Sequence, residues 1–371
     1  MDERSLDVFR TTSVPMNAPR RIPDGDRTPA ELAEAAGLRH VRDADAGITR
    51  RVAGEDFSYF YPDGRTVRKR DHLRRIEELV IPPAWDEIWI CRRTDGHLQA
   101  TGRDARGRKQ YVYHERWSEI SNLVKFGRLQ AFGRALPAIR AAVRDALRKE
   151  DATLRKMCAV LVALLDRTYA RIGNEEYERA NGSFGLSTLR RKHATVEGRR
   201  VHLAFPSKGG AERVLIVKHP PLVRIIEAGI ESPGHRLFRY RENGRWRDLD
   251  SDQVNEFIRD IVSEEFTAKD FRTWKASALM AGHLYEHREA CADGDEDARA
   301  QVVRDALGRV AEALGNTPAV CRAYYVHPVL IESFEEGSFR AAVEGFSPTR
   351  RKWLDDDEQV LLRVLRHFEP S

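Results

Sequence analysis

Cysteine is scarce in this chain: the 371 residues include four cysteines, and none belongs to a C-x-x-C pair. The sequence therefore predicts neither a disulfide framework nor a structural zinc site. The longest apolar run, CAVLVALL from Cys158, is far shorter than the roughly 20 residues that a membrane-spanning helix needs. The opening residues, MDERSLDVFR, lack the apolar segment of a secretory signal. We therefore expect a reduced, cytoplasmic protein.

Charge, by contrast, is abundant. Charged residues make up 33% of the chain, above the usual quarter, and hydrophobic residues make up 41%, which suffices for a globular core. Lys and Arg outnumber Asp and Glu by 63 to 58, giving a net charge of +5. This small excess is weak support for a polyanionic partner, because the clustering of charge matters more than its total.

The texture of the sequence changes along its length and predicts an α+β protein. Residues 1–28 are rich in proline, arginine and small polar residues, which predicts a mobile tail. Residues 29–118 contain short β-branched and aromatic runs separated by Asp-Gly turns, which predicts a small antiparallel β domain. Within it, a helix over RKRDHLRRIEELVI is predicted to end at Pro82.

Residues 119–371 predict a larger, mostly helical domain. In EDATLRKMCAVLVALLDRTYARIG the apolar residues recur at helical spacing, with Asp151 as the predicted N-cap and Gly173 as the predicted stop. Between residues 194 and 217 the period becomes two, and turns at Gly198 and in PSKGGA predict a small three-stranded sheet.

Several side chains suited to phosphate chemistry fall at the ends of these elements, where functional residues concentrate. Arginine, lysine, asparagine and tyrosine together suit attack on a phosphodiester by a phenol. Tyrosine has a pKa near 10 and must lose its proton to attack. Guanidinium groups stabilise the charge that develops on the phosphate, and each such preplaced donor typically raises the rate by ~10²–10³-fold. A lysine can protonate the leaving oxygen. The set is Arg171, Lys208, Arg272, Asn316 and Tyr325.

Each residue taken alone has an ordinary structural explanation. An arginine at a helix C-terminus interacts favourably with the helix dipole, and a lysine in a glycine turn is commonly solvated. A tyrosine is mostly apolar surface with a polar tip, so Tyr324 and Tyr325 could both serve packing. Only the whole set, in this order, favours catalysis. The proposed chemistry requires neither a metal nor a cofactor, and we predict none.

Four blocks carry a resemblance to a known family: RIGNEEYERANGSFGLSTLRRKH, AFPSKGG, AKDFRTW and GNTPAVCRAYYVHP. In order and spacing, over roughly residues 35–345, they resemble the type IB DNA topoisomerases, specifically the small poxvirus-like form found in bacteria. The resemblance implies that Tyr325, just before x-His-Pro, becomes joined to a DNA 3′-phosphate. It also implies that Arg171 and Arg272 are the catalytic arginines, Lys208 the hairpin lysine and Lys269 an accessory lysine.

One position departs from the family pattern. Poxvirus members carry histidine where this chain has Asn316, which keeps a donor for a phosphate oxygen but cannot carry charge. We therefore expect a working but differently tuned site. Tyr324 occupies a position that is not normally tyrosine, and we interpret it as a packing residue.

The resemblance also implies a surface that binds duplex DNA. Basic residues interleaved with aromatics in GRDARGRKQYVYH suit contacts to the DNA backbone and base edges, although an ordinary solvated hairpin would have the same pattern. The family implies a clamp, with the β lobe and the helical lobe on opposite sides of the duplex. The predicted contact residues are Arg108, Lys109, Gln110, Tyr111, Tyr113, Tyr177, Arg190, Arg191 and Lys192.

The predicted function is relaxation of supercoiled DNA without ATP or a divalent metal, by a monomer associated with the nucleoid. Two alternatives stay open. A tyrosine recombinase uses the same chemistry, but its usual His-x-x-Arg motif is Lys269-x-x-Arg272 here, and its N-terminal lobe is helical. The basic composition alone would also suit a DNA-coating protein without enzymatic activity.

Overall fold

The computed structural model describes residues 28–53, 56–105, 107–149, 151–175, 178–179, 182–262, 266–291 and 295–368. The predicted tail, apart from Thr28, lies outside these ranges, and so does Tyr177. In the described part of the chain, no helix is both long and apolar enough to cross a membrane.

The N-terminal region is an antiparallel β domain, as the sequence predicts, and its sheet has five strands in the described chain. The strands lie in the order β2-β1-β3-β4-β5, with a small apolar core between the sheet and a helix. The elements are α1 (Pro29–Ala35), β1 (Ile48–Ala53), β2 (Asp56–Phe60), α2 (Arg70–Glu78), β3 (Asp86–Ile90), β4 (Leu98–Arg103) and β5 (Lys109–Tyr113).

The predicted helix in this region ends earlier than Pro82. Helix α2 stops at Glu78, and Val80 adopts a left-handed backbone with φ of 47°. The chain therefore leaves the helix before it reaches the prolines, because a residue in that conformation cannot continue an α-helix.

The rest of the chain is mostly helical, as predicted, and packs around one large apolar core. Helix α5 lies at its centre, with every residue from Met157 to Asp166 buried. Helix α3 follows β5 directly and runs through residue 118, where the sequence suggests a domain boundary. The helices are α3 (Glu115–Gly127), α4 (Leu129–Leu147), α5 (Leu154–Thr168), α6 (Pro220–Glu231), α7 (Ser251–Val262), α8 (Ala268–Glu286), α9 (Glu296–Leu314), α10 (Pro318–Tyr324), α11 (Pro328–Glu335), α12 (Phe339–Ala342) and α13 (Asp356–Phe368).

The predicted three-stranded sheet is present and antiparallel, in the order β6-β7-β8. Its strands are β6 (Ala194–Glu197), β7 (Arg200–Pro206) and β8 (Glu212–Val217). A second hairpin pairs β9 (Arg239–Glu242) with β10 (Arg245–Asp248), and it was not predicted from the sequence.

Both ends of α5 differ from the prediction. The N-cap is Thr153 rather than Asp151, because the Thr153 hydroxyl accepts a hydrogen bond from the Lys156 amide at 3.3 Å. The helix ends at Thr168, where Tyr169 turns left-handed with φ of 54°. Arg171 therefore lies beyond the helix, in a segment without regular secondary structure, rather than at its last turn.

Candidate active site

Tyr325 is the first residue after helix α10, and its backbone is held from several sides. Its amide donates to the Cys321 carbonyl at 3.0 Å. Its own carbonyl accepts from the Ser277 hydroxyl at 3.2 Å, and that hydroxyl accepts from the His327 amide at 3.0 Å. Ser277 lies on α8 and is completely buried, so the chain around Tyr325 is fixed against that helix.

Arg272, on the same helix, places a guanidinium 5.1 Å from the centre of the Tyr325 ring. It donates to the carbonyls of Tyr169 and Leu314, the latter at 3.2 Å. These carbonyls end α5 and α9, and the last carbonyls of a helix lack partners within it. Arg272 therefore bridges two negative helix ends instead of pairing with a carboxylate.

A second arginine, Arg213 on β8, repeats this arrangement. It donates to the carbonyls of Thr168 at 3.2 Å and Ala313 at 2.7 Å, at the same two helix ends. Burial and the nearby charge of Arg171 both lower its pKa. Arg213 was not predicted as a site residue, although it shares the inward-facing parity of Leu215 and Val217 on β8. A charged residue at an inward-facing position of a strand was the sequence feature that could have identified Arg213 as a site residue.

Arg171 contacts the residue that departs from the family pattern. Its Nη2 lies 2.8 Å from Oδ1 of Asn316. Because a guanidinium can only donate, the amide oxygen must face the arginine, which leaves Asn316 Nδ2 directed elsewhere. That nitrogen is buried and has no hydrogen-bond partner in the described chain. Asn316 also interacts with the Cys321 thiol, which is a weak acceptor, so this nitrogen lacks a strong acceptor in the described chain.

The segment that carries Arg171 depends on a close approach at Gly185. A Cβ at this position would lie 2.4 Å from the Gly173 nitrogen and 2.7 Å from the Arg171 carbonyl oxygen. Only glycine fits there, which explains a glycine of the GSFG stretch. The Leu186 amide then donates to the Arg171 carbonyl at 2.9 Å and fixes the segment.

The phenol of Tyr325 lies in a positive environment. Burial raises its pKa, but the charges of Arg272 and Arg171 and hydrogen bonds to both outweigh burial, so the net pKa is lower than the usual 10. Burial, together with Arg171, lowers the pKa of Arg272 to about 10. Among the described residues, no carboxylate pairs with Arg171, Arg213 or Arg272. The site therefore carries uncompensated positive charge around a phenol.

The structure brings together four of the six predicted catalytic side chains: Tyr325, Arg171, Arg272 and Asn316. Lys208 lies in the β7–β8 turn, as predicted, but is not among the described contacts of Tyr325. The next residue, Gly209, faces Arg108 of the N-terminal region. Lys269 is exposed in the first turn of α8, and Tyr324 is 53% exposed, with Lys125 Nζ 6.0 Å from the centre of its ring.

The predicted DNA-contact residues of the N-terminal region fall into two groups. Lys109, Tyr111 and Tyr113 share the exposed face of β5, and the two tyrosine rings stack with centres 5.9 Å apart. Lys109 also forms an ion pair with Asp43. Arg108 and Gln110 both donate to the Asp104 carboxylate, at 2.7 and 2.9 Å. Lys109, Tyr111 and Tyr113 are therefore exposed, whereas Arg108 and Gln110 are held by Asp104.

The predicted contacts of the helical region are less uniform. Arg190 pairs with Glu178 at 2.9 Å, and Lys192 is exposed in a short 3₁₀ turn. Arg191 donates to the carbonyls of Ser232 and Gly234, so its guanidinium serves the fold. Tyr177, also predicted here, lies outside the described residues.

One group of described side chains has the spacing of metal ligands: His283, Glu286 and His287 at the end of α8. The Arg309 guanidinium lies 2.9 Å from Nδ1 of His283. Since arginine can only donate, that nitrogen accepts, and the other ring nitrogen of His283 then carries the proton and cannot ligate. The group does not touch the tyrosine and arginine cluster, and its chemistry suits a metal poorly.

Comparison with known proteins gives matches to two family models and to several named relatives. Residues 114–342 match the family model of the eukaryotic DNA topoisomerase I catalytic core, and residues 56–104 match that of the bacterial DNA topoisomerase IB N-terminal domain. The chain is 28% identical to DNA topoisomerase 1B of Acanthamoeba polyphaga mimivirus over 87% of this chain and 95% of that protein. It is 19% identical to DNA topoisomerase 1B of vaccinia virus (strain Copenhagen), over 76% and 90% of the two chains. DNA topoisomerase 1 of Mycosarcoma maydis is 26% identical over 56% of this chain and 23% of its own length.

Proposed function

Since this chain belongs to the type IB DNA topoisomerase family, we propose that it relaxes supercoiled duplex DNA through a transient covalent bond between Tyr325 and a DNA 3′-phosphate. The observation that carries this proposal is the position of the Tyr325 phenol between two guanidiniums that no carboxylate neutralises in the described chain. A phosphodiester supplies the missing negative charge.

In the proposed reaction the Tyr325 oxygen attacks phosphorus, and the bond from phosphorus to the 5′ oxygen breaks. The lowered pKa of Tyr325 eases the loss of its proton. Arg171 and Arg272 stabilise the charge on the non-bridging oxygens, for which planar two-pronged donors are suited. Asn316 adds a neutral hydrogen bond from its buried Nδ2.

The leaving 5′ oxygen needs a proton, and we assign its delivery to Lys208. This lysine lies on a hairpin turn outside the tyrosine cluster, so the assignment includes movement of the turn toward the phosphate when DNA binds. Lys269, in the first turn of α8, is assigned an accessory role at the same phosphate.

The energetics require no fuel. A phosphodiester is exchanged for a phosphotyrosine of similar energy, the free strand end rotates about the intact strand, and the 5′ hydroxyl reverses the reaction. The duplex would lie between the exposed tyrosine face of β5 and the helical lobe, as in a clamp. We propose that a monomer does this on chromosomal DNA in the nucleoid, without ATP or a divalent metal.

The test is incubation with plain supercoiled plasmid in EDTA, followed by denaturing electrophoresis and peptide mapping of the DNA-linked residue. We expect relaxation, and an adduct on Tyr325 that Tyr325→Phe abolishes while duplex affinity is kept. Tyr324→Phe is the matched control, because the Tyr324 side chain is 53% exposed whereas Tyr325 lies against the arginines. An adduct on Tyr324, or an absolute magnesium requirement, would contradict the proposal. An unchanged linking number would favour a recombinase.

A further inference from the structure

We propose that Asn122 and Lys125, on the helix that connects the N-terminal sheet to the catalytic helices, position Tyr325 for attack. They do so by binding the last backbone carbonyls of α10. This inference rests on the proposed function, because it concerns the geometry of the same nucleophile. Both are positioning residues, since their described contacts are with backbone and packing groups and not with the phenol.

The contacts are direct and come from far away in the sequence. Asn122 Nδ2 donates to the Ala323 carbonyl at 3.2 Å, across 201 residues. Lys125 Nζ donates to the Tyr324 carbonyl at 2.8 Å and to Asn122 Oδ1 at 3.0 Å. Ala323 and Tyr324 immediately precede the nucleophile, and they end a helix of seven residues whose final carbonyls need partners from outside.

The same turn of α3 also contacts the chain after the nucleophile. The Phe126 ring packs against the His327 ring with centres 5.1 Å apart, and Lys125 Nζ lies 4.0 Å from the centre of the Phe126 ring. On the other side, Ser277 of α8 binds the backbone of Tyr325 and His327. The backbone on both sides of Tyr325 is therefore held between α3 and α8, and α3 supplies the contacts on one side.

Lys125 behaves as a half-buried structural donor rather than a solvated surface charge. Burial, together with the nearby charge of Lys269 on α8, lowers its pKa to about 7. A lysine that faced water would extend its ammonium outward and keep its ordinary pKa. Its amino group is instead held against carbonyl oxygens.

The connection gives α3 a role that spans both lobes. The helix begins at Glu115, directly after β5, the strand that presents Lys109, Tyr111 and Tyr113. Its 13 residues span about 20 Å as a rigid rod. DNA bound on the β5 face would therefore be mechanically linked to the backbone that carries the nucleophile.

The test separates attack from binding. Covalent adduct formation is measured in single-turnover reactions at saturating duplex, and duplex affinity is measured separately in the Tyr325→Phe background. A displacement of about 1 Å can cost roughly 10²-fold in rate. We expect Asn122→Ala and Lys125→Met each to slow adduct formation about tenfold and the double variant about 10²-fold, by that same reasoning, with affinity within about twofold of wild type.

Two further variants keep the test decisive. Lys125→Arg retains a donor of similar reach and should recover most of the rate lost in Lys125→Met, which a purely structural defect common to both would not show. Glu119→Ala, exposed on the same helix, should leave the rate unchanged. A double variant that cleaves at the wild-type rate, or loses only affinity, overturns the inference. A wild-type protein that forms no adduct overturns the proposed function instead.

Discussion

Two arginine centres lie on either side of helix α8, and they are built in opposite ways. At one centre, Arg140 binds Asp166 at 2.9 and 2.7 Å and Glu358 at 2.7 Å through two nitrogens. Trp274 and Lys275 of α8 complete the shell of Glu358, at 3.0 and 3.1 Å. At the other, Arg272, two residues before Trp274, binds two backbone carbonyls and the Tyr325 phenol but no carboxylate in the described chain.

The pKa shifts reflect this difference. Glu358 is fully buried, which alone raises the pKa of its carboxyl, but Arg140 and Lys275 outweigh burial and lower it to about 2. At the candidate site the effect of burial, together with the charge of Arg171, is larger than that of Tyr325, and the pKa of Arg272 falls to about 10. Buried charges that serve the fold are balanced, whereas those at the candidate site are left for an anion to balance.

The largest expected effect is on the balanced centre. Glu358→Ala should lower the free energy of unfolding by about 3–5 kcal/mol, because it leaves Arg140 and Lys275 buried without their shared carboxylate. Urea denaturation measures this loss. Asp356→Ala, exposed on the same helix, is the matched control and should change stability by less than about 0.5 kcal/mol. Equal effects of the two variants would show that the network is not a stability element.

Removing the Arg272 charge should affect the rate of adduct formation strongly and the stability of the protein little. Arg272→Met should slow adduct formation ~10²–10³-fold, since it deletes a preplaced donor. Its stability at pH 7 should stay within about 1 kcal/mol of wild type, because the lowered pKa means that the charged form costs stability at every pH below about 10. The lost hydrogen bonds offset that gain. A loss above about 3 kcal/mol in urea would place Arg272 with Arg140 as a structural residue.

The smallest effect should come from Asn316, which contributes a neutral hydrogen bond. Asn316→Ala should cost about 1 kcal/mol, or roughly fivefold in adduct formation. Asn316→His should add a titration near the histidine reference pKa of about 6.5, with faster cleavage on the acid side where the ring is charged. The pH–rate profiles of wild type and variant measure this. An identical acid limb in both would mean that the side chain at 316 does not reach the phosphate.

The sequence predicted the fold in outline because its signals are local. Alternation marked β6 to β8, Asp-Gly turns marked the N-terminal strands, and Gly315 ended α9 with a left-handed φ of 63°. The predicted ends of α5 were wrong because two nearby residues could each have capped or ended the helix. Thr153 took the cap that Asp151 could also provide, and Tyr169 ended α5 before Gly173 because its conformation depends on tertiary contacts.

The residues of the candidate site also fall into those that the sequence predicted and those that it did not. Tyr325, Arg171, Arg272 and Asn316 were predicted from motif order, and the structure places them together. Arg213, Ser277, Asn122 and Lys125 were missed, because each acts through backbone carbonyls or amides of residues distant in the chain. Short-range patterns contain no information about such partners.

By itself, the sequence determined which elements form and which side chains can attack or hold a phosphate, because hydrophobic period, turn residues and side-chain chemistry are properties of short segments. Only the tertiary structure decided which arginines keep their charge uncompensated. That depends on whether folding brings a carboxylate, as Glu358 reaches Arg140, or merely two helix ends, as α5 and α9 reach Arg272. Electrostatic balance is a property of three-dimensional distance, and the order of residues along the chain does not contain it.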